Sequence, residues 1–257
     1  MNVEGLEIEK KDHVAFIRIS SLQGGLSGLV RLAQEVSERI AMDRFDEDIG
    51  VVILEEKEEG AFCVGEETLA RISEGLRSGN EIFSSIALSI SKIGVPVLAG
   101  IEGDAVGSGL EWILACDLRI ASETSRFGLP QIKAGVIPAE GGTQRLARLV
   151  GKGKALEMIL TGESIDAQEA LRIGLVNRIV PRGEVSNTVM ELAKDMTLKS
   201  PISLQYCKEA IVKGMDLTLE QGLRLEADLY FLMHTTHDRE EGIRAFQEKR
   251  KPKFEGK

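Results

Sequence analysis

Two short and nearly unbroken apolar runs, Val51–Leu54 (VVIL) and Val95–Ala99 (VPVLA), constrain the fold of this chain more than any other feature. A strand with one wet face alternates apolar and polar residues. A strand covered on both faces has no polar side, so its sequence stays apolar throughout. Both runs are too short for helices, and helix-length segments stand between and before them. Ser27–Ala41 places Leu29, Leu32, Ala33, Val36 and Ile40 on one face, and Glu74–Lys92 is a second helical stretch. Strands buried on both faces and separated by helices need crossover connections, which gives an α/β architecture. Ahead of them, Leu6–Glu9, a turn at Lys11–His13 and Val14–Ile19 (VAFIRI) predict two more strands.

The pattern changes after about Val180. Ser164 stands before a short helix, IDAQEALRIG, closed by Gly174, and Leu175–Val180 reads as a strand. Beyond it only helices are predicted: Gly183–Lys199, Ile202–Val212, Leu219–Leu232 and Arg239–Glu248, with Asp216 or Thr218 capping the third. The expected organisation is therefore an α/β core over residues 1–195 and a helical region over 196–257.

Composition removes several function classes. A chain of 257 residues with 43% hydrophobic content has ample material for a packed core. A net charge of −9 and only 4% aromatic residues argue against a nucleic-acid partner. Cys63, Cys116 and Cys207 are odd in number and far apart, which fits a reducing compartment rather than a disulfide framework. No Cys/His spacing points to a metal, and His13, His234 and His237 read as surface or turn residues, the last two spaced for one helix face. The N-terminus has no apolar signal core, and the region Ile86–Ile101 is broken by Ser89, Ser91, Lys92, Gly94 and Pro96, so neither a leader nor a membrane span is expected. These features predict a cytoplasmic protein.

Chemistry concentrates in Glu102–Asp117, EGDAVGSGLEWILACD. Gly107, Ser108 and Gly109 predict a tight turn into a helix over Trp112–Cys116. Small residues let a ligand approach the main chain, and the first amides of a helix lack internal partners. Such amides suit a developing oxyanion. Glu111 follows at once. A buried carboxylate is costly without a partner, so it is either a first-turn acid of ordinary kind or a proton carrier. Two further loops bear on the choice. Gly60–Glu67 (GAFCVGEE) follows the Val51–Leu54 strand, and such carboxyl-end loops build sites in α/β folds. Arg126–Arg145 (RFGLPQIKAGVIPAEGGTQR) predicts a loop-rich wall, with Gly141 and Gly142 opening a helix through Leu149. Cys63 has no histidine near it in sequence, Asp117 reads as a structural anchor, and Trp112 as core or acyl-pocket wall.

Taken in order, GSGLEWILACDLRIAS, RFGLPQIKAGVIPAEGGTQRLARLVG, LTGESIDAQEALRIGLVNRIV and the closing EKRKP resemble the enoyl-CoA hydratase/isomerase (crotonase) superfamily over nearly the whole chain. The resemblance implies a spiral of ββα repeats with a helical C-terminal trimerisation region, assembled as a homotrimer or a dimer of trimers. It implies an acyl-CoA thioester as substrate, with coenzyme A belonging to the substrate and no separate cofactor or metal. It further implies that the backbone amides of Val64 and Ser108 hold an enolate oxyanion, that Glu111 transfers protons, and that Phe246 and Lys249 reach the CoA nucleotide.

Three departures accompany the resemblance. Where the hydratases carry a second carboxylate, this chain has Gln131, and an amide orients water but accepts no proton. Ser108 stands where glycine is common, and Ser20–Gly28 lacks the usual basic residue. Glu111 then acts alone, or Glu140 replaces the missing acid, or the reaction is not simple hydration of a 2-enoyl-CoA. Hydration of an enoyl- or dienoyl-CoA is the leading expectation. Double-bond isomerisation by Glu111 or Glu140 is the alternative, a hydrolase or decarboxylase a third, and a non-catalytic scaffold the contrasting class.

Overall fold

The computed structural model describes residues 6–19, 49–56 and 86–257. The predicted Ser27–Ala41 helix, the Ser20–Gly28 stretch, the Gly60–Glu67 loop with Cys63 and Val64, and the first part of Glu74–Lys92 lie outside these residues. In chain order the elements are β1 (Leu6–Lys11), β2 (Val14–Ile19), β3 (Val51–Glu56), α1 (Ile86–Ser91), β4 (Val97–Ile101), β5 (Ala105–Val106), α2 (Ser108–Ile113), β6 (Leu118–Ser122) and β7 (Arg126–Gly128). A 3-10 turn (Pro130–Ala134) leads to α3 (Gly142–Val150), α4 (Lys152–Thr161), β8 (Ile165–Asp166), α5 (Ala167–Arg172) and β9 (Arg178–Val180). Four helices close the chain: α6 (Val185–Thr197), α7 (Pro201–Gly214), α8 (Leu219–Met233) and α9 (His237–Glu248).

Six strands form the main sheet in the order β1-β2-β3-β4-β6-β9, and β5-β7-β8 form a small second sheet. Only the β1–β2 pair of the main sheet is antiparallel; β2 through β9 run parallel. The apolar runs are explained by what covers the two faces. Ala15, Ile17, Val52, Leu54, Val97, Ala99 and Ala121 face one core, shared with α1 and α2. Their neighbours Val14, Phe16, Val51, Ile53, Leu98 and Ile120 face the other, closed by Val185, Val189 and Ala193 of α6. The period of two survives inside an all-apolar sequence because both alternating faces are dry. Gly100 lets α6 approach: a Cβ there would stand 3.3 Å from Val189.

Several boundaries differ from expectation for identifiable reasons. β4 begins at Val97 because Pro96 has no N–H to donate to the ladder. The helix expected over Trp112–Cys116 spans Ser108–Ile113, since Gly107 (φ 64, ψ −128) makes the entry turn. The cap of α5 is Asp166, whose Oδ1 accepts from the Glu169 amide at 2.8 Å, not Ser164. Thr218, not Asp216, caps α8 in a full capping box with Gln221. The strand expected over Leu175–Val180 is shortened to Arg178–Val180.

The last helices stand apart in character. No residue of α7 is buried and only Leu229 of α8 is. Lys208 ties α7 to the sheet region, donating to the Val95 carbonyl at 2.9 Å and pairing with Asp117 at 2.7 Å. A largely apolar cavity of about 910 Å³ opens among α7, α8 and the C-terminal tail, lined by Tyr206, Cys207, Ala210, Leu223, Tyr230 and Phe254. Among the described residues no helix is long and apolar enough to cross a membrane.

Candidate active site

The site is built from the first turn of α2 and the wall between β7 and α3. Gly107 donates its amide to the Gly128 carbonyl at 2.9 Å, which ties the turn before α2 to the end of β7. Ser108, buried, opens the helix, so its amide has no carbonyl four residues earlier in the helix to bond. One turn later comes Glu111, only 1% exposed. Its Oε1 accepts from the amides of Glu140 at 2.7 Å and Gly142 at 2.8 Å. Its Oε2 accepts from Nε2 of Gln131 at 3.2 Å. The fold thus brings Glu111, Gln131 and Glu140 together.

Local sequence explains why the wall reaches the carboxylate. Pro130 starts a 3-10 turn that buries Gln131, and Gly135 (φ 74) ends it. The Gly141–Gly142 pair follows, and the Gly142 amide reaches the carboxylate. Gly141 adopts φ +98, and a Cβ on Gly142 would lie 3.0 Å from Glu111 Oε1 and 2.9 Å from Pro138. Only a residue without a side chain leaves room for this contact.

Burial pushes the Glu111 carboxyl up to about 7; the Gly142 amide opposes that rise and the Glu140 charge adds to it. A group with that affinity is populated in both forms at neutral pH, so it both takes and returns a proton. Gln131, 4% exposed, donates from Nε2 to Glu111, and its Oε1 is buried with no partner among the described residues. Glu140 is half-buried and its Oε2 accepts from the Ala87 amide at 3.0 Å, at the start of α1. Its side chain therefore braces α1 while its own amide serves Glu111.

The remaining candidates lie elsewhere. Val64 and Cys63 fall outside the described residues. Phe246, 86% exposed, sits on α9, and Lys249 closes that helix at φ 54. Neither joins the hydrogen bonds around Glu111. Asp117 is an anchor: its Oδ2 accepts from the Val97 amide at 2.7 Å and pairs with Lys208. Trp112 is packed in the core, its indole N–H without a partner among the described residues. Burial pushes the Cys116 thiol up to about 12, which unfits it as a nucleophile. His234 ends α8 and His237 begins α9, so a helix break separates two residues expected on one face. Among the described residues no group of three or more His, Cys, Asp or Glu side chains could hold a metal ion.

Two arginines join the site's frame without having been singled out in the sequence. Arg119, buried, donates to the carbonyls of Ile113, Cys116 and Leu175 and so caps the C-terminal end of α2. Arg145 of α3 donates from Nη1 to the Glu140 carbonyl at 2.7 Å. The only sequence signal for either is a cation inside an otherwise apolar or glycine-rich block.

Comparison with known proteins bears on this arrangement. A family model described as enoyl-CoA hydratase/isomerase matches residues 31–257. The chain is 36% identical over 256 residues to (E)-benzylidenesuccinyl-CoA hydratase of Thauera aromatica, covering 97% of this chain and 98% of that one. It is 34% identical over 258 residues to the short-chain-enoyl-CoA hydratase of Clostridium acetobutylicum, covering 98% and 97%. The crystal structure of an enoyl-CoA hydratase from Bacillus anthracis superposes with a TM-score of 0.84 at 33% identity, covering 99% of this chain and 100% of that one.

Proposed function

The chain belongs to the enoyl-CoA hydratase/isomerase family and has its α/β crotonase fold, and on that premise we propose that it adds water across the double bond of an α,β-unsaturated acyl-CoA, enoyl or dienoyl, with Glu111 as its single proton carrier. The observation that carries hydration over isomerisation is the orphaned Oε1 of Gln131. A buried acceptor without a donor costs about 1–3 kcal/mol. A water molecule beside Glu111 supplies that donor, and so does the β-hydroxyl of the product. Isomerisation brings no hydroxyl to this place.

In this reading the water donates one hydrogen to Gln131 Oε1 and yields its other proton to the Glu111 carboxylate. Its oxygen bonds to the β carbon, and the π electrons move onto the thioester oxygen as an enolate. The amides of Ser108 and Val64 hold that oxygen where charge develops. Glu111 then returns the proton to the α carbon. Glu140, engaged with Ala87, supports the carboxylate through its amide rather than replacing the missing acid. Phe246 and Lys249 serve CoA, and the exposed faces of α7 and α8 assemble the chain with copies of itself as a trimer or a pair of trimers.

The test uses crotonyl-CoA and a set of dienoyl-CoAs in deuterium oxide. Loss of conjugated-enone absorbance with a gain of one water and one α-deuterium is the expected result. Deuterium uptake without water addition would replace this reading with isomerisation. No change with any substrate would remove it. Gln131→Met keeps the side-chain length and deletes both the acceptor and the donor to Glu111, and is expected to lower kcat by about 10- to 100-fold.

A further inference from the structure

Arg145 is linked to Glu111 through one residue. Its Nη1 holds the Glu140 carbonyl at 2.7 Å, and the Glu140 amide in turn holds Glu111 Oε1 at 2.7 Å. Its own amide bonds the Gly141 carbonyl at 2.8 Å, which fixes the start of α3 under the same loop. Gly141 takes a left-handed φ of +98, and a Cβ there would collide with Arg145 Nη1. The glycine therefore serves the guanidinium as well as the turn. The Glu140 residue is gripped on three sides: side chain by Ala87, carbonyl by Arg145, amide by Glu111.

We propose that Arg145 is a positioning residue for Glu111, clamping the Glu140 peptide so that its amide stays aimed at Oε1 of the carboxylate. A guanidinium suits this task better than an ammonium, because it is planar and stiff at its end and less strongly hydrated, so a single N–H stays aimed at the carbonyl.

The same placement gives Arg145 an electrostatic effect. It is half-buried, and burial lowers its own proton affinity while Glu111 and Glu140 raise it. Glu140, on the wall loop, is the charge that opposes ionisation of Glu111; Arg145, on α3, is attracted by both carboxylates and so leans the balance the other way. The other elements around Glu111 bring little charge. Ile86–Ser91 carries no ionisable side chain, Gln131 is neutral, Lys133 is paired with Glu163, and Asp117 is paired with Lys208. Arg148 is paired with Asp216, and Arg119 is held on carbonyls at the far end of α2.

This inference rests on the reading of Glu111 as proton carrier, and two variants test it. Arg145→Met removes clamp and charge together. The acidic limb of the kcat/KM profile is expected to move to higher pH, so that activity falls severalfold more at pH 6 than at pH 9. Arg145→Lys keeps the charge and loses the fork. It is expected to hold the limb near its wild-type position while its plateau kcat drops several-fold. Infrared titration of the buried carboxyl, taken as a difference against Glu111→Gln, reads the same midpoint without turnover. That measurement tests Arg145 separately from the choice of reaction. An unmoved midpoint in Arg145→Met, or a wild-type plateau in Arg145→Lys, overturns the proposal.

Discussion

At the scale of single residues, Glu111 is held in a form that works against the fold. Its carboxyl titrates near 4.5 in an unfolded chain and at about 7 in the folded one, chiefly through burial. The folded state therefore binds more protons between these values, and stability falls as pH rises through that window. Above about pH 7 the full difference applies, roughly 3 kcal/mol. Glu111→Gln removes the charge and still accepts from the Glu140 and Gly142 amides. Its new NH₂ faces Gln131, whose amide need only turn over to offer the orphaned Oε1. The variant is expected to unfold at higher temperature than wild type at pH 8, with the difference vanishing toward pH 4.5. Catalysis is expected to fall by about 10²- to 10⁴-fold. Calorimetry at the two pH values checks the first claim, steady-state kinetics the second. Gln131→Glu is expected to act oppositely, setting a second buried carboxyl beside the first and raising the pH at which the pair loses its second proton.

At the scale of elements, the site depends on how closely α3 begins against α2. Gly142→Ala forces a methyl to within 3.0 Å of Glu111 Oε1 and 2.9 Å of Pro138. The wall must retreat, and with it the amide bonds to the carboxylate. Loss of activity is expected to exceed loss of stability, read as a drop in kcat with the unfolding midpoint shifted only a few degrees. The sequence made such elements visible in unequal degree. Val51–Leu54 declared a doubly covered strand because both faces are dry, whereas the cap of α8 stayed open between Asp216 and Thr218 until the capping box with Gln221 decided it. Glu111 and Gln131 were legible as candidates from their motifs. Their meeting was not, because twenty residues separate them and the contact depends on a 3-10 turn and two left-handed glycines. Arg145 was illegible for a related reason. It touches the site through a carbonyl, and a main-chain partner leaves no mark on side-chain patterns.

At the scale of the molecule, the C-terminal helices leave a large apolar surface uncovered. Leu219, Leu223, Tyr230 and Phe231 are all more than half exposed on one helix, and Ile211 and Met215 are similarly bare at the end of its neighbour. Patches of this kind mark contact surfaces. Sedimentation velocity is expected to give a mass of three or six times 28.1 kDa. Tyr230→Glu combined with Leu223→Glu is expected to lower it, since two buried charges at an interface are strongly unfavourable. A wild-type monomer at micromolar concentration would refute the assembly.

The bond from Lys208 to the Val95 carbonyl joins residues 113 positions apart. The hydrogen bonds of Glu111 among the described residues, by contrast, all fall within the stretch from Gly107 to Gly142. A chain emerging from a ribosome therefore completes its acid–base cluster long before the lysine exists. Until then Asp117 has only the Val97 amide to hold. Short-range contacts form quickly and distant ones late. Refolding is expected to show a fast phase that shields α2 and the sheet from hydrogen exchange, and a slower one when α7 docks. Lys208→Met should slow or weaken only the second phase, so that the docking of the last helices waits on one ammonium group.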